Sequence, residues 1–266
     1  MHSRNMAVSA IALALLVVGV GRTALGELSD DERKCIDAVN KIARSIGNQE
    51  QKKDRACVKD GMDDIDLCVN GEAPNASVQR TKLVGLFDSG GKCGTLPSFG
   101  LNPDPQSICN AVERAAGDNL RGAFGVPVNG IIAGDKCHDR IAKRMGKKLD
   151  TEMKAFRTCM KTLPGITSTG DFETCIGAAI ADQRAQIVVQ PKLQADIEHV
   201  CDIAGAPPAG LEDGSCGTCT DTASCAGCLG DLVDCQACQA LIILTGVVVD
   251  CDVMDDSLAN SSCLPE

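Results

Sequence analysis

Cys216-Gly-Thr-Cys219, Cys225-Ala-Gly-Cys228 and Cys235-Gln-Ala-Cys238 place three CxxC units in one short stretch of the chain. Three chemistries use that spacing. Two CxxC knuckles supply the four thiolates of a tetrahedral zinc centre. A single exposed CxxC with a lowered thiol pKa exchanges disulfides as an oxidoreductase. In an oxidising compartment the same sulfurs close structural bridges. Only five and six residues separate successive units, which crowds a metal centre. No βαβ pattern surrounds the motifs and no His follows any of them, so thioredoxin-like and haem-attachment contexts are missing. Iron–sulfur ferredoxin spacing is not met either. Structural disulfides are the expected state. Zinc or copper binding at Cys216, Cys219, Cys225, Cys228, Cys235 and Cys238 is the second reading, and thiol–disulfide exchange the third.

Two histidines extend the metal reading. His138 follows Cys137, and His199 precedes Cys201 by two positions. Should those cysteines meet, two imidazoles and two sulfurs converge as copper or zinc ligands. A bridge between the cysteines would consume both thiolates, so exposed histidines beside a structural disulfide are expected. Further on, Asp250, Asp252, Asp255, Asp256 and Asn260 fall in a loop that Cys251 and Cys263 could close, a set of oxygen ligands suited to calcium. The spacing is not that of an EF-hand, and a solvated acidic loop with capping Asp residues is the expected role. The CxxC array followed by this Asp-Cys-Asp, Asp-Asp and Asn-Ser-Ser-Cys tail resembles secreted, cysteine-rich bacterial proteins of unknown function. The resemblance is confined to Cys216 through Cys263 and implies no activity. Ser257 stands where such tails tend to carry Gly, which weakens a calcium role.

The rest of the composition excludes several function classes. The chain has 266 residues, 17 Cys, three His, five Phe, no Trp and no Tyr, and a formal charge of -10. It lacks the phosphate-neutralising charge and stacking platforms of a nucleic-acid binder. No Ser/His/Asp set, phosphate loop or paired-acid spacing emerges, so no catalytic residue is assigned and an enzyme is not expected. Residues 1–26 read as a secretory signal peptide: basic start, apolar run from Met6 to Gly21, and Ala24-Leu25-Gly26 before Glu27. That run is shorter than the roughly 20 residues a span needs, and no later stretch is expected to span a membrane. Every cysteine lies downstream of this segment, which predicts an exported protein, secreted or held in the periplasm or cell envelope, with disulfides.

The elements that must position these residues show an internal repeat. Cys35, Cys57, Cys68, Cys93 and Cys109 are separated by 22, 11, 25 and 16 positions; Cys137, Cys159, Cys175, Cys201 and Cys216 by 22, 16, 26 and 15. An offset of 102 also superposes Asp37 on Asp139, Glu50 on Glu152 and Arg55 on Arg157. Each first arm has helical periodicity, the first opened by the capping-box pattern Ser29-Asp-Asp-Glu32. Return arms are predicted from Ser77 to Asp88, and from Asp171 to about Gln190, broken by Pro191 and resumed to Val200. Across a continuous helix Cys35 and Cys57 are about 33 Å apart, beyond the reach of a disulfide. Antiparallel arms instead bring first to last and second to third. The predicted bridges are Cys35 with Cys93, Cys57 with Cys68, Cys137 with Cys201 and Cys159 with Cys175. An odd count leaves at least one thiol over, with Cys109 and Cys263 the candidates.

The expected fold is mainly α: two disulfide-stapled antiparallel helical hairpins related by internal duplication, plus a small Cys-rich C-terminal module. The divisions are a signal peptide at 1–26, a first hairpin at 27–95, and a Gly/Pro-rich connector at 96–134 with a short helix from Ser107 to Ala116. A second hairpin follows at 135–205 and the CxxC module with its acidic tail at 206–266. The Lys/Arg run from Lys143 to Lys148 is expected on a solvated helix face. The expected role is structural or protein-binding, with an unidentified protein partner and no cofactor.

Overall fold

Ser29 opens the first helix through the capping box: its backbone N–H donates to Glu32 Oε2 at 2.7 Å, and the Glu32 N–H donates to Ser29 Oγ at 3.3 Å. The helix that follows, α1 (Asp30–Asp60), is continuous over 31 residues and holds Cys35 and Cys57 near its two ends. The computed structural model describes residues 28–60, 65–71, 73–94, 101–125, 135–163, 165–182, 184–201, 211–252 and 263. The expected signal peptide, the turn-rich run 126–133, and Asp255, Asp256 and Asn260 lie outside the described residues.

After α1 come α2 (Ile65–Asn70), α3 (Ala76–Phe87) and α4 (Pro105–Phe124); then α5 (Lys136–Thr162), α6 (Thr169–Ile180), a π-helical segment (Arg184–Val189), α7 (Gln190–Val200) and α8 (Thr222–Thr245). No strand occurs among the described residues. Four bridges, Cys35–Cys93, Cys57–Cys68, Cys137–Cys201 and Cys159–Cys175, join the arms that an antiparallel chain path brings together.

Two departures from expectation concern the connector and the C-terminal module. The short helix expected from Ser107 to Ala116 runs from Pro105 to Phe124 and packs in the core against α1 and α8. Asp104 caps it by accepting from the Gln106 N–H at 3.0 Å. One glycine inside it is a contact point: a Cβ on Gly122 would stand 2.6 Å from Leu232 Cδ2 of α8. The CxxC region is likewise no string of loops. From Asp221, whose carboxylate caps Ala223 and Ser224, it forms a 24-residue helix ended by Gly246 in the left-handed conformation, at φ 69°. By length and composition α8 suffices to cross a membrane, contrary to the expectation of no such stretch. Leu229, Val233, Leu241 and Leu244 are all buried against the rest of the bundle.

A third departure is the return arm of the second half. Pro191 does not break it; it occupies the first turn of α7, where a helix needs no N–H donor. The interruption comes earlier, after Ile180, and Asp182 caps the restart by accepting from the Arg184 and Ala185 N–H groups.

The two hairpins meet through α1 against α5, and α4 packs against α8. Across the antiparallel α1–α5 pair, Arg157 donates both Nε and Nη2 to Asp37 at 2.7 and 3.0 Å. At the other end Arg55 does the same to Asp139, at the same distances. Midway, Asn48 donates to Asp150, itself 102 positions further on. The Arg55–Asp139 and Arg157–Asp37 pairs thus clamp α1 to α5 at its two ends. Phe124, Phe156 and Phe172 are fully buried and share one hydrophobic core with the buried disulfide cysteines.

Candidate functional site

The cysteines settle into eight disulfides. None of the three CxxC units closes on itself. Cys216 joins Cys228 and Cys219 joins Cys225, tying the loop before α8 to its first turns; Cys235 joins Cys263 and Cys238 joins Cys251, tying the tail to its middle. Positions three apart on a helix share a face, so each CxxC pair on α8 presents two sulfurs to one neighbouring strand of chain. An exchange motif requires a bridge between its own two cysteines, and a thiolate centre requires unbridged sulfurs; this pairing provides neither. Cys263 is therefore corrected from candidate leftover to partner of Cys235, while Cys109, buried on α4, is in no disulfide.

Cys251 and Cys263 do not close a calcium loop together, because each is bonded to α8. Of the proposed oxygen ligands, Asp250 caps the Asp252 N–H at 3.2 Å and Asp252 accepts from the Cys263 N–H at 3.0 Å, which are chain-folding roles. The histidines also separate. His199 is exposed, but His138 is fully buried, edge-on to Phe124 with ring centroids 5.0 Å apart, which corrects the expectation of two exposed rings. Cys137 and Cys201 are spent on each other. Among the described residues no group of three or more His, Cys, Asp or Glu side chains is placed to hold a metal ion.

Buried charge concentrates at two related places. In the first half Lys53 Nζ lies 2.9 Å from Glu50 and 3.0 Å from Asp54, and donates to the carbonyls of Val69 and Gly71. Glu50 in turn accepts from the Ala73 N–H, so the cluster fastens the α2–α3 turn to α1. In the second half Lys148, expected in solvent, is 2% exposed. Its Nζ is 2.8 Å from Asp234, 3.9 Å from Glu152 and donates to the Gly230 carbonyl at 2.9 Å, pinning α8 to α5. Burial and the neighbouring Asp234 hold the Glu152 carboxyl well above its usual range, against the pull of Lys148.

Asp54 yields a pH prediction. Burial pushes its carboxyl up to about 7, although Lys53 opposes the shift. The unfolded chain releases that proton near the ordinary value, so from there up to about 7 the folded state holds a proton the unfolded state has lost. Stability from this group is full at acid pH and falls as pH rises through that window. Asp54→Asn is expected to match the wild type near pH 4 and exceed it at pH 8 by on the order of 2–4 kcal/mol in chemical denaturation. Equal stabilities at pH 8 would contradict this.

One surface feature is chemically distinctive. Between α1, α5 and the π-helical segment with α7 runs a groove of about 480 Å³, whose walls carry seven cations and one carboxylate, Asp150. Three of the cations are engaged: Arg55 with Asp139, Arg144 with Asp196 and Lys147 with Asp150. Asp150, also gripped by Arg44 and Asn48, is held below the usual carboxylate range by those contacts despite its burial. Lys52, Lys143, Arg184 and Lys192 have no ion-pair partner among the described residues and stand exposed. On a chain of charge -10 this is a local reversal of sign.

No family model, curated protein or solved structure matches this chain.

The groove was not foreseen, since its four unengaged cations come from three separate stretches of sequence. Only Lys143 belongs to the basic run singled out beforehand. A signal was present in part: Lys52 and Arg55 lie on one face of α1, and Lys143 and Lys147 on one face of α5, each at helical spacing.

Proposed function

We propose that this is an exported, disulfide-stapled structural or protein-binding protein, built by internal duplication and acting without catalysis. What carries this reading is the use of sixteen cysteines in eight bridges, including all six sulfurs that a zinc, copper or exchange site would need. Such a set fits an oxidising, extracellular environment. It also supports reading residues 1–26 as the export signal. A chain with few aromatic core residues gains from staples what it lacks in large apolar side chains.

Alkylation of the protein purified from an oxidising compartment, unfolded without reductant and weighed intact, tests this directly. Sixteen cysteines are expected to resist modification, and metal analysis before unfolding to find no stoichiometric zinc or copper. Four or more modified thiols accompanied by bound metal would overturn it and make the CxxC array a metal centre.

A further inference from the structure

We infer that the groove between α1, α5 and the π-helical segment binds an acidic polypeptide segment that carries aliphatic side chains; this rests on the protein-binding reading and names the chemistry of the partner. Charge complementarity is the first argument. Lys52, Lys143, Arg184 and Lys192 surround an open groove without ion-pair partners among the described residues, so they offer charges that cost no ion pair seen there to use. Screening over roughly 8 Å at physiological salt confines their field to the groove, and the acidic remainder of the chain disfavours a polyanion large enough to overrun it.

The uncharged part of the wall distinguishes a peptide from other anions. Val188 lines the groove at 43% exposure, and Ile187 beside it is 66% exposed, an apolar edge supplied by the π-helical segment. π-Helical turns recur at functional positions because the widened turn re-aims side chains. Gln51 and Asn48 add side-chain amides of the kind that pair with a peptide backbone. Sugars and nucleobases are gripped by aromatic faces, and this chain has no Trp or Tyr. An extended segment alternating carboxylates with aliphatic side chains satisfies cations, amides and apolar edge together.

The test uses the full disulfide-bonded protein and a fluorescein-labelled peptide of alternating Glu and Leu, followed by fluorescence anisotropy. Binding is expected, with its affinity falling as salt is raised. Reversal of Lys52, Lys143, Arg184 and Lys192 to Glu is expected to weaken it by at least about tenfold. The same four reversals at Lys59, Lys82, Lys136 and Lys154, exposed and outside the groove, should weaken it far less. Val188→Asp with Ile187→Asp should also weaken it, which a purely electrostatic attraction would not require. Absence of binding, equal losses in the two reversal sets, or tighter binding of a heparin fragment or oligonucleotide than of the peptide would each overturn the groove assignment. The thiol count stands apart from all of these, so the groove can fail while the stapled scaffold holds.

Discussion

Replacing Lys148 by Met should cost about 3–5 kcal/mol of folding stability at neutral pH, the magnitude expected when one partner of a buried charge cluster is removed. Lys148, Glu152 and Asp234 are all at most 3% exposed. Burial and the neighbouring Asp234 raise the Glu152 carboxyl, while Lys148 Nζ stands 2.8 Å from Asp234, to whose Oδ2 Gln186 donates at 3.2 Å. Met matches the Lys stem in shape but leaves the Asp234 charge uncompensated in the core and the Gly230 carbonyl without its donor. Adding Asp234→Asn to Lys148→Met should recover a large part of the loss, because the unpaired charge disappears with its partner. Urea denaturation of the wild type, the single variant and the double variant at neutral pH measures both quantities. A single-variant loss below about 1 kcal/mol, within the range of ordinary surface changes, would mean that Lys148 contributes no net pairing energy in the core.

The same residue shows where sequence reasoning stops. Lys148 sits in a run with Lys143, Arg144 and Lys147, and a charge run is read as a solvated face because that is how helices usually dispose of charge. The rotation of α5 that exposes Lys143 and Lys147 turns Lys148 inward, and only the arrival of α8 with Asp234 decides that it can stay there. The two helical hairpins were legible because apolar period, capping chemistry and cysteine spacing all agreed. Helix α8 was not legible because it is buried on most of its circumference, so no amphipathic stripe marks it, and its cysteines read as loop knuckles. In α4 Gly122, one of the glycines that signalled a turn-rich connector, admits Leu232. The groove is a tertiary product altogether, assembled from α1, α5 and the segment after α6.

The disulfides should differ in worth with the logarithm of the length of chain they close. Cys137–Cys201 closes a separation of 64 residues and Cys219–Cys225 one of 6, so replacing each pair by Ala should cost about 4 and about 2 kcal/mol respectively, through the entropy returned to the unfolded chain. Packing adds to the first figure, since Cys137 and Cys201 are both about 5% exposed and their sulfurs belong to the core. The location matters as well. Cys137–Cys201 ties the start of α5 to the end of α7, and α7 contacts α8, so its loss loosens the second half as a unit. The Cys219–Cys225 bridge ties a loop to the first turn of α8, which Asp221 already caps and Cys216–Cys228 already fastens. Guanidinium denaturation of the two double variants, read by far-ultraviolet circular dichroism, should give well-separated midpoints, the Cys137/Cys201 variant the lower. Coincident midpoints would show that the redundancy of neighbouring bridges, and not loop length, governs how much each one contributes.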